Sequence, residues 1–233
     1  MINNVGKCDI IILSSGGCMR KNFMNEVKYS AGADKFSFWF VEMTKVCELR
    51  RDGMTIRRIK QKNKETDIFA VRTPEYSNTI MSVIAKRLTA GGGSFVALFL
   101  KSDERGQKQL CLITCLLTDP LFYDFACAII GDKLSSGARN FDNDDIERFW
   151  SCEQAKSQKV AKFKTPTLKN LTRTYKRYLA NAGITDDNRG IRRIYPPVIS
   201  NDIARWIQHK RITYVLYALT GSKDGKSSTQ PKN

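Results

Sequence analysis

Residues 165–194 combine a helix that has clear end signals with a basic, turn-rich segment. Thr165 followed by Pro166 is a typical helix start, because threonine caps free N–H groups and proline fits the first turn. Gly183 is typical of the residue that follows a helix, so we predict a helix over Pro166–Ala182. Its apolar residues share one stripe, and its polar face predicts a binding surface. The candidate binding residues on that face are Lys169, Asn170, Arg173, Lys176 and Arg177.

The following segment, Ile184–Tyr195, is predicted to form a hairpin. It places Asp-Asp-Asn-Arg-Gly between short β-prone runs, and Asn188 and Gly190 are suited to a positive φ. The hairpin contributes the further candidates Arg189, Arg192 and Arg193. A basic helix followed by a basic hairpin is the layout of a winged helix, in which the helix enters a groove and the hairpin contacts adjacent backbone. The alternative is that these cations only form a solvated face.

The distribution of charge favours binding over solvation. The chain carries a formal net charge of +16. Residues 159–193 hold 10 Lys or Arg against 2 Asp or Glu, whereas residues 89–158 hold 7 against 10. A concentrated positive charge is typical of a protein that binds a polyanion such as nucleic acid.

The residue pattern predicts neither an enzyme nor a metal or cofactor site. His209 is the only histidine, and the seven cysteines include no CxxC pair. The nearest pair, Cys111 and Cys115, has helical spacing in an apolar run, which favours buried, reduced thiols in a cytoplasmic protein. No phosphate-binding loop and no HExxH motif occur in the sequence.

Three predicted helices form a second basic unit near the N-terminal end. They cover Ala33–Arg51, Ile56 to about Lys62, and Pro74 to about Leu88. Residues 45–88 contain 11 basic and 5 acidic residues, and resemble a helix-turn-helix with an unusually long connection. The candidate binding residues of this unit are Arg57, Arg58 and Lys60. A solvated basic face is again the alternative.

The apolar runs between residues 95 and 130 predict buried core helices. Asp119-Pro120 interrupts the longest run and is better explained as the cap and first residue of a new helix. Asp124 also lies inside this run. We therefore expect no membrane-spanning segment. Asp142 or Asn143 is expected to begin the next helix, and Ser200 is expected to cap another.

These elements predict a mainly α protein with five parts. Residues 1–28 form a leader, either disordered or upstream of the true start, for which Met24 is the candidate. Residues 29–90 form a helix-turn-helix-like unit and residues 91–140 an apolar helical core. Residues 141–220 form a winged-helix-like unit with a small β-hairpin wing. Residues 221–233 form a disordered tail.

Several segments together resemble one known protein family. They are Tyr29–Gly32, Asp119–Phe125, Gln158–Phe163, Thr165–Gly183 and Tyr195–Ser200. In this order and spacing they are similar to the BrxA family of the BREX bacteriophage-exclusion systems. The similarity extends from Tyr29 to about Leu219, and the leader departs from it.

This resemblance implies an all-helical, winged-helix-like protein without known enzymatic chemistry. It further implies binding to double-stranded DNA, beside the methyltransferase, ATPase and phosphatase-like components of the system. An RNA-binding role like that of an antitermination factor has also been suggested for such proteins. An assembly adaptor that binds acidic partner proteins is the remaining alternative.

Overall fold

A computed structural model describes residues 29–222. The expectations for the leader at residues 1–28, with Met24 as a start, and for residues 223–233 of the tail concern parts of the chain outside this range. The division into five parts also stays a prediction. The prediction of a mainly α protein with a small antiparallel β element is confirmed.

The helices begin and end as follows. A 3-10 turn covers Gly32–Lys35 and is followed by α1 Phe40–Arg51, α2 Ile56–Thr66, α3 Pro74–Gly91, α4 Phe95–Lys101 and α5 Glu104–Thr118. Next come α6 Pro120–Ala126, a π-helical turn Cys127–Gly131, α7 Asp132–Ser135, α8 Asn143–Lys156, α9 Gln158–Ala161, α10 Thr165–Asn181, α11 Asn201–His209 and α12 Tyr214–Thr220. The strands β1 Asn140–Phe141 and β2 Arg192–Arg193 pair antiparallel.

The helix predicted over Ala33–Arg51 is wrong in its first part. Helix α1 begins only at Phe40, because Trp39 adopts a left-handed conformation with φ 51° that an α-helix cannot pass through. The guanidinium of Arg87 donates hydrogen bonds to the carbonyl oxygens of Ser37 and Phe38, at 3.2 and 2.6 Å. These carbonyls therefore accept from a distant side chain, whereas in a continuous helix they would accept from backbone N–H groups four residues later.

The buried residues form one connected hydrophobic cluster. Helices α3 and α5 pack against each other within it, and the segment Gly91–Ser94 turns the chain between α3 and α4. Asp119 caps α6, since its Oδ1 accepts hydrogen bonds from the N–H groups of Leu121 and Phe122. Gly131 lets the backbone of α12 approach closely, because a Cβ there would lie 2.7 Å from the Tyr217 carbonyl oxygen.

The start of α8 is held by several charges. Asp142 and Asp145 form a reciprocal capping box, as expected for a helix that begins here. Asp145 also pairs with Arg148, and with the ammonium group of Lys133 at 2.7 Å. Burial alone raises the pKa of Asp145, but the hydrogen bonds from Lys133 and from the Asp142 N–H, with the nearby positive charges, lower it below its usual value.

Helix α10 begins one residue earlier than predicted. Thr165 lies inside the helix and Lys164 occupies the cap position without a side-chain bond, so the capping role assigned to Thr165 is wrong. The helix ends at Asn181, one residue before the predicted Ala182, and Gly183 ends it as predicted: it has φ 73° and donates to Ala180 O, while Ile184 donates to Leu179 O. This pair of bonds is a Schellman motif, which stops the helix.

The predicted hairpin folds back on itself. Tyr195 N–H donates to the Ile184 carbonyl at 2.8 Å, and Asp186 N–H donates to the Arg193 carbonyl at 3.3 Å. Asn188 and Gly190 are suited to a positive φ, but neither residue adopts one. The turn is instead held by the carboxylate of Asp186. In addition, β2 pairs with β1, a partner far away in sequence.

The remaining expectations concern thiols and membranes. The cysteines at residues 47, 111, 115 and 127 are buried, as predicted, whereas Cys152 is exposed. Within residues 29–222, no single helix has both the length and the apolar composition to cross a bilayer. Two pairs of helices, α3 with α4 and α5 with α6–α7, have that length and composition only when the two members are counted together, and each pair is sharply bent.

Candidate nucleic-acid interface

Helix α10 has a buried face and a cationic face. Leu171, Tyr175 and Tyr178 are buried, and the Tyr175 hydroxyl donates to Asp119 Oδ2 at 3.1 Å, which fixes the rotation of the helix about its axis. The opposite face exposes three cations spaced four residues apart: Lys169, Arg173 and Arg177. At 1.5 Å rise per residue, this row spans about 12 Å of the helix axis.

The polar side chains of this face differ in their hydrogen bonding and burial. In the described range 29–222, the side chains of Lys169 and Arg177 make no hydrogen bond or ion pair. Arg173 Nη2 donates to Asn170 Oδ1 at 3.0 Å, so the oxygen of Asn170 is already engaged. Lys176 is half-buried, and burial, followed by the charge of Arg192, lowers its pKa. We therefore place Lys169, Arg173 and Arg177 at the centre of the cationic face.

Arg192 is the residue that joins the loop 186–193 to α10. Its guanidinium donates to the carbonyl oxygens of residues 186, 187 and 188 at 3.1, 3.2 and 2.9 Å, and to the Lys176 carbonyl at 3.4 Å. These bonds direct its donors at the protein backbone rather than at solvent. Although predicted as a binding residue, Arg192 is placed here as the support of the loop.

Arg189 and Arg193 are the loop cations that face solvent. Both are exposed, and neither side chain makes a hydrogen bond or an ion pair within residues 29–222. The carboxylate of Asp186 accepts from the backbone N–H groups of Asn188 and Arg193, at 3.4 and 3.2 Å. The loop is therefore ordered from within, and it presents two free guanidinium groups beside the C-terminal end of α10.

Helix α2 forms the second cationic surface. It buries only Ile59 and Asn63, while Arg57, Arg58 and Lys60 are exposed and make no hydrogen bond or ion pair in the described part of the chain. Two shallow concavities lie along it, lined by Thr55, Ile56, Arg57, Arg58, Lys60, Gln61 and Lys64. All three predicted residues thus lie on one continuous basic surface.

Polar contacts attach α2 to α3. The Ser77 hydroxyl lies 3.0 Å from Asn63 Oδ1 and 2.6 Å from Asp67 Oδ1, and Asp67 Oδ2 accepts from the Val71 N–H at 3.0 Å. The seven-residue connection 67–73 is longer than a helix-turn-helix turn, and the second helix, α3, buries eight residues where α2 buries two. The solvent-facing helix of this unit is therefore the first one, unlike a usual recognition helix.

Sequence reasoning missed Lys64 and Gln61 on this surface. Lys64 was missed because the predicted helix ended at about Lys62, whereas α2 continues to Thr66. Gln61 lay inside the predicted helix but carries no charge. The signal that could have extended the helix is the polar side chain of Asn63. A buried asparagine at helical spacing from Ile59 continues the same face by one turn.

The two surfaces are suited to binding polyanions and offer little else. Neither surface contains a carboxylate–histidine or cysteine–histidine arrangement, since His209 is the only histidine of the chain. Within residues 29–222, no group of three or more His, Cys, Asp or Glu side chains is arranged to hold a metal ion. What the geometry provides is free guanidinium and ammonium groups on rigid helices and one ordered loop.

Comparison with known proteins identifies the family. The sequence profile of the BrxA family matches residues 27–211. A protein of Bacillus cereus (strain H3081.97) named BREX protein BrxA is 28% identical over 169 residues, which is 72% of this chain and 84% of that protein. The crystal structure of an uncharacterised protein from Magnetospirillum magneticum has the same fold. Its TM-score is 0.70 at 16% identity, and the match covers 84% of this chain and all of that one. The chain belongs to the BrxA family.

Proposed function

We propose that the protein is a non-catalytic, cytoplasmic DNA-binding component of a BREX-type defence system against bacteriophages. The observation that carries this proposal is the row Lys169, Arg173 and Arg177 on α10, next to the solvent-facing Arg189 and Arg193 of the adjoining loop. The name of the Bacillus cereus relative supports the assignment to BREX.

The chemistry of the row favours phosphate contacts over base recognition. All three side chains of the row are cations on a solvent-facing helix, and the neighbouring amide of Asn170 already accepts a hydrogen bond from Arg173. Binding should therefore be weakly sequence-specific. It should also decrease steeply with salt, with a log–log slope of about −0.9 for each phosphate neutralised.

The position of the aromatic residues favours duplex DNA over single strands or RNA loops. Proteins that bind single strands stack bases on exposed aromatic rings. Here the rings near α10 pack against each other inside the core: Tyr175 contacts Phe122, Phe125 and Trp150. Among the described residues of this site, the exposed aromatic ring is that of Tyr195, which is 45% exposed. An RNA-binding, antitermination-like role would therefore depend on this single ring for base stacking.

An assembly adaptor for acidic partner proteins is the second candidate function. It is favoured by α2, whose basic surface has shallow concavities that an acidic peptide could occupy. On this view α10 would bind DNA and α2 would bind protein, or both would bind protein.

A pair of charge reversals tests the proposal. Replacing Arg173→Glu and Arg177→Glu should abolish binding to duplex DNA in gel shifts across a salt series. Both side chains lie outside the core, so the melting temperature should stay near that of the native protein. The matched pair Arg57→Glu and Arg58→Glu measures the contribution of α2, which we expect to be smaller.

A control pair separates local contacts from overall charge. Arg105→Glu and Arg211→Glu change the same number of charges at exposed sites outside both surfaces. This pair should reduce affinity only slightly. If the control weakens binding as much as the α10 pair, the row on α10 is not the site. If only the α2 pair eliminates binding, α2 is the DNA-binding helix. Salt-insensitive binding would favour the adaptor function.

A further inference from the structure

The loop next to α10 exposes an apolar side chain between its two free arginines. Ile191 is 63% exposed, in a loop of otherwise polar residues, and Arg189 and Arg193 flank it at two residues on either side. Ile191 is not part of the hydrophobic core and most of its surface is exposed, so core packing does not explain an aliphatic residue at this place. The side chains that flank Ile191 are cationic, which favours an anionic partner.

The loop 186–193 is preorganised by its own hydrogen bonds. Arg192 bonds three carbonyls of the loop and one of α10, and Asp186 accepts from the N–H groups of Asn188 and Arg193. Backbone pairing of Asp186 with Arg193 and of β2 with β1 closes its base. A preorganised loop loses little conformational entropy on binding, so Ile191 can act as a rigid apolar tip.

We infer that this tip enters the minor groove of duplex DNA, with Ile191 pressed against a base step and Arg189 and Arg193 directed at the groove and the flanking phosphates. This inference rests on the proposed DNA-binding function and specifies how the loop takes part in it. Minor-groove proteins commonly insert aliphatic wedges that partly unstack one step, and arginine is attracted to narrow, A·T-rich minor grooves.

The inference predicts a preference that phosphate contacts alone would not give. A wedge binds best where a base step unstacks easily, such as TA or CA/TG, inside an A·T-rich segment. The row on α10 should contribute affinity without preference. The loop should contribute most of any dependence on sequence and any bending of the DNA.

The test uses the full-length protein and duplexes that carry 2-aminopurine at a central TA step. Fluorescence of 2-aminopurine should increase on binding of the native protein, since unstacking relieves its quenching. In the variant Ile191→Ser the increase should be lost, and affinity for the A·T-rich duplex should decrease by about tenfold, consistent with the loss of one aliphatic contact. Affinity for a G·C-rich duplex should change little.

Val198→Ser is the matched control, because Val198 is also aliphatic and is 74% exposed but lies outside the loop. It should leave both the fluorescence and the affinity unchanged. Native protein that binds DNA without a 2-aminopurine signal overturns the inference and leaves the proposed function standing, as does Ile191→Ser with unchanged binding. Absence of DNA binding by the native protein overturns both.

Discussion

Arg192→Ala should both destabilise the protein and weaken binding to DNA, although Arg192 is not expected to contact DNA. The substitution removes four hydrogen bonds from a charged donor to the backbone of residues 176 and 186–188. A buried hydrogen bond of a charged group contributes about 1.5–3 kcal/mol to stability. Because this guanidinium is partly exposed and water can replace some of its bonds, we expect a loss of about 2 kcal/mol for all four bonds. For a chain of this size that lowers Tm by about 6 °C.

Comparison with Arg193→Ala distinguishes support from contact. The Arg193 side chain makes no bond within residues 29–222, so its loss should leave Tm unchanged and remove one phosphate contact. The salt slope should then become less steep by about one unit. Arg192→Ala should lower Tm, make amide exchange in residues 186–193 faster, and reduce DNA affinity through disorder of the loop. Arg192→Lys, with one donor group in place of a fork, should restore little of this.

A result in which Arg192→Ala melts like the native protein, while the salt slope decreases by one unit, would refute the reasoning. It would mean that the guanidinium leaves the backbone and binds phosphate directly. Calorimetry and a salt series on the same preparations provide both measurements.

Three further outcomes follow from the core and the helix caps. Arg87→Met should lower the free energy of unfolding by about 3 kcal/mol, measured by urea denaturation, because the Ser37 and Phe38 carbonyls lose their guanidinium donor and Phe38 is left with the weak bond from the Cys111 thiol. Gly131→Ala should cost about 2 kcal/mol through overpacking against Tyr217, whereas Gly93→Ala, which meets open space, should be nearly neutral. Because the folded-state pKa of Asp145 is lowered, its stabilisation is complete above about pH 4 and is lost as pH decreases through that pKa. In Asp145→Asn, unfolding measured between pH 2 and about 5 should therefore depend less on pH.

The helix boundaries were predictable where they depend on neighbouring residues. Ser200 accepts a hydrogen bond from the N–H three residues later, as expected from the sequence, and Thr55 and Thr73 do the same in the way typical of threonine before a helix. Asp119 and Gly183 also act locally. Such signals need no knowledge of the fold, and the residues that cap a helix are the same ones that mark it in the sequence.

Features that depend on distant partners were not predictable. The break before α1 follows from Arg87, which is 49 residues from the Phe38 carbonyl that it bonds. The partner of β2 is β1, more than fifty residues earlier, and no pattern in the short segment Asn140–Phe141 marks it as a strand. In the candidate site, charge alone could not separate Arg192 from Arg189 and Arg193. Only the carbonyls around Arg192 distinguish a supporting residue from a free one.

The buried Arg87 also bears on how surface variants can be interpreted. Its guanidinium lies 5.8 Å from the ring centre of Trp39 and 5.7 Å from that of Tyr178, so it connects α3, the segment before α1, and α10. Because α2 packs on α3, both cationic surfaces rest on elements that this one side chain joins. A charge reversal that distorted α2 or α10 would disturb the packing around Arg87 and would lower Tm. Loss of DNA binding without a change in Tm can therefore be attributed to the surface itself, which makes the melting temperature the decisive companion measurement for every variant of α2 and α10.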